Sequence, residues 1–183
     1  MLFDLAVVFL YLTFALDLVI WPISSESSTS ALVKQKTYSG LALIGMLIRH
    51  LFSLIIYLAP LFISLLALLN IIDREVNILT WTIGVFFIVA GRVISLFGTY
   101  NLRNKDAAVV RTSVFRWSRH PIALGMIISL FGFILASGYL LLLVGYPFYI
   151  LNMHHKLKIE EGLLTDQFGD DYKIYMKETP RYI

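Results

Sequence analysis

Residues 119–161 read RHPIALGMIISLFGFILASGYLLLLVGYPFYILNMHHKLKIEE. Two apolar runs, Ile122 to Ala136 and Tyr139 to Met153, meet at Ser137-Gly138. Pro121 suits the first position of a helix, where its missing N–H costs nothing. Ser-Gly is a turn signal. The stretch predicts a hairpin of two short helices, each of about 15 apolar residues and roughly 23 Å. Helical patterning continues beyond the second run, because Leu157, Leu163, Leu164 and Phe168 alternate with charges. Gly169 is a C-terminal cap for that helix. Asp170 opens a short amphipathic helix that ends at Pro180. A hairpin brings its two ends together. Arg119-His120 and the Lys156 to Glu161 segment are therefore expected on one rim.

The rest of the chain is as apolar as this stretch. Of 183 residues, 58% are hydrophobic and 15% charged, and the mean hydropathy is +0.79. Soluble domains are about 45–50% apolar with glycine included, and about 25% charged. So short a chain cannot hide that much apolar surface from water, so lipid must cover part of it. A soluble globular protein and a disordered chain are both excluded. The net charge of +3 is small and no basic stripe is interleaved with aromatics, which argues against nucleic-acid binding. With no cysteine there are no disulfides, thiolate metal sites or Cys nucleophiles.

Crossing ~30 Å of hydrocarbon takes about 20 apolar residues. The first span runs from Leu2 to about Ile23 and ends at Trp21-Pro22; with no basic flank or cleavage site it reads as a retained helix, not a signal peptide. A Ser-rich loop, Ser24 to Ser30, precedes Lys34 and Lys36. The apolar stretch Tyr38 to Ile72 is read as one tilted span kinked near Pro60. Asp73-Arg74-Glu75 is a polar turn, and a third span runs from about Thr80 to Tyr100. With the hairpin this makes an all-α integral membrane bundle of about five transmembrane helices, with a cytoplasmic amphipathic tail. It is a single membrane domain over residues 1–183: residues 1–100 hold three spans, and residues 101–183 the rest. Lys34, Lys36, the basic residues of the 101–120 segment and those of the tail then share one face. The positive-inside rule makes that face, and the C-terminus, cytoplasmic.

Four features carry chemical interest. Arg92 lies within a span, where a charge marks either a functional site or a snorkelling side chain. Ser118-Arg119-His120-Pro121 sits at a helix start, whose free N–H groups suit an anion; interfacial anchoring is the plainer reading. Lys156 and Glu160 are four apart and share a helix face, which alone describes a solvated ion pair. His154 and His155 are adjacent, about 100° apart on a helix, and cannot both ligate one ion. No metal site is expected.

In this order and around a hairpin, the two motifs resemble the isoprenylcysteine carboxyl methyltransferase family and its phospholipid methyltransferase relatives. The first family motif is Val-x-x-Gly-x-Tyr-x-x-x-Arg-His-Pro-x-Tyr-x-Gly. This sequence matches it with Val110, Ser113, Phe115, Arg119-His120-Pro121, Ala123 and Gly125. The second is Arg-x-x-x-Glu-Glu followed by Leu, Phe-Gly, Tyr-x-x-Tyr and a late Pro. Here Lys156, Glu160-Glu161, Leu164, Phe168-Gly169, Tyr172, Tyr175 and Pro180 stand in those places. The resemblance covers roughly the last 85 residues and makes 101–183 the cofactor-binding region. It implies a membrane enzyme that uses S-adenosylmethionine and methylates a lipid-like or amphiphilic acceptor. By the same resemblance, Val109, Val110, Phe115, His120, Pro121, Ile122 and Ala123 line the cofactor pocket. Glu160 binds the cofactor, and Arg119 and Lys156 are the expected catalytic residues, Lys156 meeting the acceptor; Arg119, with the N–H groups at the Pro121 helix start, suits the cofactor's carboxylate. Glu161 is expected to matter less than Glu160. Two family tyrosines are Phe115 and Ala123 here, and the family Arg is Lys156, a point charge in place of a fork.

Two other readings stand beside this one. Membrane sterol and steroid reductases share an Arg-His-Pro and a Tyr-rich tail and use NADPH, but they carry Asn-Tyr and an acid just after the Pro, which Ile122 to Met126 lacks. A non-catalytic scaffold of the same fold fits the loss of the two hydroxyls.

Overall fold

A computed structural model of the chain describes residues 2–24, 40–73, 75–103 and 109–183. These residues are helical, with no strand among them. The Ser-rich loop after Ser24, with Lys34 and Lys36, and also Lys105, lie outside the described residues. Helix α1 is Leu2–Ser24, α2 Gly40–Leu68, α3 Ile78–Arg103, α4 Pro121–Ser137, α5 Tyr146–Phe168 and α6 Asp170–Glu178. Short 3-10 turns at Ser113–Arg116 and Leu140–Val144 precede α4 and α5.

The apolar stretch around Pro60 forms one continuous helix with Pro60 inside it and fully buried. Asn77 caps α3, its Oδ1 accepting the Leu79 N–H at 2.9 Å. Among the described residues two helices, α2 and α3, contain stretches long and apolar enough to cross a membrane, Leu47–Leu68 and Ile78–Leu102. α2 turns Leu47, Ile48, Leu51, Phe52, Ile55 and Phe62 outward. Such an apolar exterior is expected of a surface that meets lipid, not water.

The second hairpin helix begins later than predicted. Residues Leu140–Val144 form a 3-10 turn, and α5 starts at Tyr146 with Gly145 as its N-cap and a proline in its first turn. Gly138 adopts φ of 75° and ends α4. From Tyr146 the chain stays helical to Phe168, so apolar and charged halves are one rod of about 34 Å. Gly169, at φ 58°, closes it with its N–H on the Thr165 carbonyl at 2.8 Å.

α4 is the central helix and touches α1, α2, α3 and α5. Its Leu130, Phe133 and Ile134 are fully buried against Val7 and Tyr11 of α1, Ile56 and Tyr57 of α2, Ile88 of α3 and Tyr149 of α5. Tyr11 stacks on Phe133 with centroids 3.6 Å apart and donates its hydroxyl to the Tyr57 carbonyl at 2.8 Å. The closest contact is the antiparallel α3–α4 pair. A Cβ on Gly84 would lie 2.6 Å from the Ala136 nitrogen, one on Gly91 2.7 Å from the Ser129 nitrogen, and one on Gly132 2.6 Å from the Ile88 nitrogen. Missing side chains thus let two backbones touch. Arg92 reaches out of this pair, donating from Nη2 to the Thr13 carbonyl of α1 at 2.9 Å. It therefore ties two helices together.

Candidate functional site

The amino end of α4 is where the chemistry gathers. Pro121 takes the first helical position and His120 the N-cap, as the sequence predicts. His120 makes no side-chain cap bond, so its ring is available elsewhere. Its Nε2 lies 3.2 Å from Glu161 Oε1. Arg119 places Nη2 3.0 Å from the same oxygen and donates from Nη1 to the Met176 carbonyl at 2.8 Å. Arg181 takes both Glu161 oxygens, with Nε on Oε1 at 3.0 Å and Nη2 on Oε2. Its Nη1 also lies 3.1 Å from His154 Nε2. Arginine only donates, so that imidazole nitrogen accepts.

Glu161 is therefore the hub, and its side chain is 7% exposed. Burial pushes its carboxyl pKa up. Hydrogen bonds from His120 and Arg181, with the charges of Arg119 and His120, outweigh burial and hold it at about 2. Burial, with the charges of Arg181 and Lys158, lowers the His154 pKa against the opposing pull of Glu161. An imidazole so held stays neutral, which suits its role as acceptor.

The tail closes over this cluster. The Arg119 N–H donates to the Pro180 carbonyl at 3.0 Å, and the Ser118 hydroxyl to the Arg181 carbonyl at 2.9 Å. Tyr175 donates its hydroxyl to the Phe115 carbonyl at 2.7 Å; burial pushes its pKa up to about 12, so the phenol keeps its proton. Arg111 bonds the Asp171 carbonyl at 2.7 Å and its carboxylate at 2.6 Å. Beneath the tail, Arg119 Nε and the Tyr182 hydroxyl are buried with no partner among the described residues.

Of the predicted residues, Arg119 and His120 meet at Glu161, and Phe115 meets the tail through Tyr175. Val110, Phe115, His120, Pro121 and Ala123 are buried, and Val109 and Ile122 are half-buried. Glu160 is half-buried, one residue from the hub, with no hydrogen-bond or ion-pair partner among the described residues. Lys156 is exposed and does not pair with Glu160. Exposed Trp117 lines a concavity of about 390 Å³ with Phe97, Ser113, Val114 and Arg116. Sequence reasoning did not place Glu161 at the centre of an ion-pair cluster and gave no role to Arg181 or His154. Helical spacing carries the Glu161 signal: it lies four residues after Leu157, and both are buried. Glu160 is turned about 100° off that stripe. No local pattern announces Arg181.

The phospholipid methyltransferase family matches residues 72–171, more than half of the chain. The chain belongs to that family. No curated protein and no solved structure matches it. The phospholipid methyltransferase match takes in α3, α4 and α5, hence the glycine-packed pair, the Arg-His-Pro start and Glu160-Glu161. It ends at Asp171, before Tyr172, Tyr175 and Arg181. Ser113, at the glycine position of the first motif, holds φ of 57°. That left-handed conformation costs a residue with a Cβ about 1–2 kcal/mol and a glycine almost nothing.

Proposed function

We propose that this chain is an S-adenosylmethionine-dependent methyltransferase. Its acceptor is a lipid-like or amphiphilic carboxylate or amine, met at the membrane–cytosol interface. The reading is carried by the meeting of Arg119, His120 and Glu161 at the α4 start, in a chain of a methyltransferase family.

The residues present fit such a cofactor. Arg119 Nε is buried without an acceptor among the described residues, and the His120 side chain does not cap the first amides of α4. Together they suit the carboxylate of the cofactor's amino-acid part. Unpartnered Glu160 suits its cationic or hydroxylic groups. Val109, Val110, Phe115, His120, Pro121, Ile122 and Ala123 supply the walls, and Trp117 or Phe115 offers a face for a flat adenine. When bound, the group supplies an electrophilic methyl on a sulfonium.

The chain's own task is alignment and the exclusion of water. Arg119 fixes the carboxylate end. Exposed Lys156 meets the acceptor's charged head while its apolar part stays in lipid. A carboxylate acceptor needs no base, whereas an amine must first lose a proton. The proposed topology has five spans, with the C-terminus and site cytoplasmic.

Calorimetry of the purified protein tests this reading. Heat is expected with S-adenosylhomocysteine and none with NADPH. Heat with NADPH alone would favour a reductase, and heat with neither a scaffold.

A further inference from the structure

Glu161 holds more positive charge than it can neutralise. One guanidinium balances one carboxylate, yet Arg119 and Arg181 both pair with it. Two guanidinium groups thus share one carboxylate. Excess charge in an enclosed place is costly unless an anion completes it. A second observation points the same way. The Arg119 side chain is 9% exposed and its Nε has no acceptor among the described residues.

Arg181 is built into place. Its carbonyl accepts from Ser118, and the carbonyl before it accepts from the Arg119 N–H. Its guanidinium then grips both oxygens of Glu161 as a planar fork. With Arg181 on Glu161, Arg119 need not spend its whole charge there.

Resting on the methyltransferase reading, we propose that Arg181 is a positioning residue of the site. It holds the Glu161 carboxylate and so leaves Arg119 as the surplus cation that takes the ligand's carboxylate. Without that grip Arg119 is drawn fully onto Glu161, and its pull on an anion is lost. A lysine restores the charge but not the two-pronged grip.

The test uses the full chain in lipid nanodiscs and two probes, S-adenosylhomocysteine and 5′-methylthioadenosine. The second keeps the adenosine and lacks the carboxylate. Arg181→Ala is expected to weaken the first probe about tenfold or more and to leave the second within about twofold. Arg181→Lys is expected to lose several-fold on the first probe only. Equal weakening of both probes would assign Arg181 a purely structural role and overturn the proposal. So would an Arg181→Lys variant that binds the first probe as the wild type does, which decides the matter even if the alanine variant does not fold. Wild-type protein that binds neither probe would instead remove the methyltransferase reading itself.

Discussion

The α3–α4 contact and the C-terminal clamp hold adjoining parts of the molecule by opposite means. Along α3 and α4 the contact exists because side chains are absent: Gly84, Gly91 and Gly132 let backbone meet backbone. At the clamp it exists because side chains are long and charged, and Arg119, His120 and Arg181 all converge on Glu161. The first has no titrating group and tolerates no added atom. The second tolerates adjustment of its side chains but depends on ionisation. A bundle with a fixed core and an electrostatically closed rim can change its rim without losing its fold.

The largest expected effect strikes the glycine contact. Gly91→Leu puts a branched side chain where even a Cβ lies 2.7 Å from the Ser129 nitrogen. Loss of about 3 kcal/mol or more is expected, read as absence of a cooperative helical melt in detergent. A wild-type melt would break the contrast. Glu161→Ala comes next. It strands Arg119 and Arg181, a loss of about 3 kcal/mol. The distinguishing readout is place: the tail beyond Gly169 should become cleavable by protease while α3 and α4 stay protected.

The same contrast has a pH signature. Glu161 has its carboxyl at about 2 in the folded chain against an ordinary value of 4.5. A depressed acid contributes stability that is complete above its unfolded pKa and disappears as pH falls through the folded one. The gap in melting temperature between wild type and Glu161→Gln should be flat from pH 8 to about 5. It should close between about 4.5 and 2. A gap that closes near neutrality would assign the clamp's pH dependence to a histidine. Smallest of all is Ser113→Gly, which relieves the φ of 57°. It should raise stability by about 1 kcal/mol without moving the pH profile.

Much of this was legible in residue chemistry. Pro121 and Gly169 mark the start of α4 and the end of α5 because each has a fixed backbone preference, and the structure places both there. The hairpin that joins them brings His120 to Glu161. The start of α5 is not legible in the same way, because a run such as Leu140–Val144 has no periodicity to separate a 3-10 turn from an α-helix. Gly145 and Pro147 were the better markers. The α3–α4 contact is written in the seven-residue spacing of Gly84, Gly91 and Gly98 against Gly125 and Gly132. The Arg181 fork is purely tertiary. Its partner is 20 residues away across a glycine corner, and nothing in its neighbours specifies that contact.

The unbroken course of α5 also makes it a lever. Asn152 pins it to α2, donating to the Ser53 hydroxyl at 2.8 Å and the Arg49 carbonyl at 3.1 Å. Glu161 lies nine residues further on, about 13 Å along the axis. Swinging the rod 10° about that fulcrum displaces the carboxylate by roughly 2 Å, more than a hydrogen bond can absorb. The packing of α5 on its neighbours holds that angle, and in the proposed topology a mismatch with the bilayer would strain it. The Asn152 anchor is therefore a fulcrum on which the geometry at Glu161 depends.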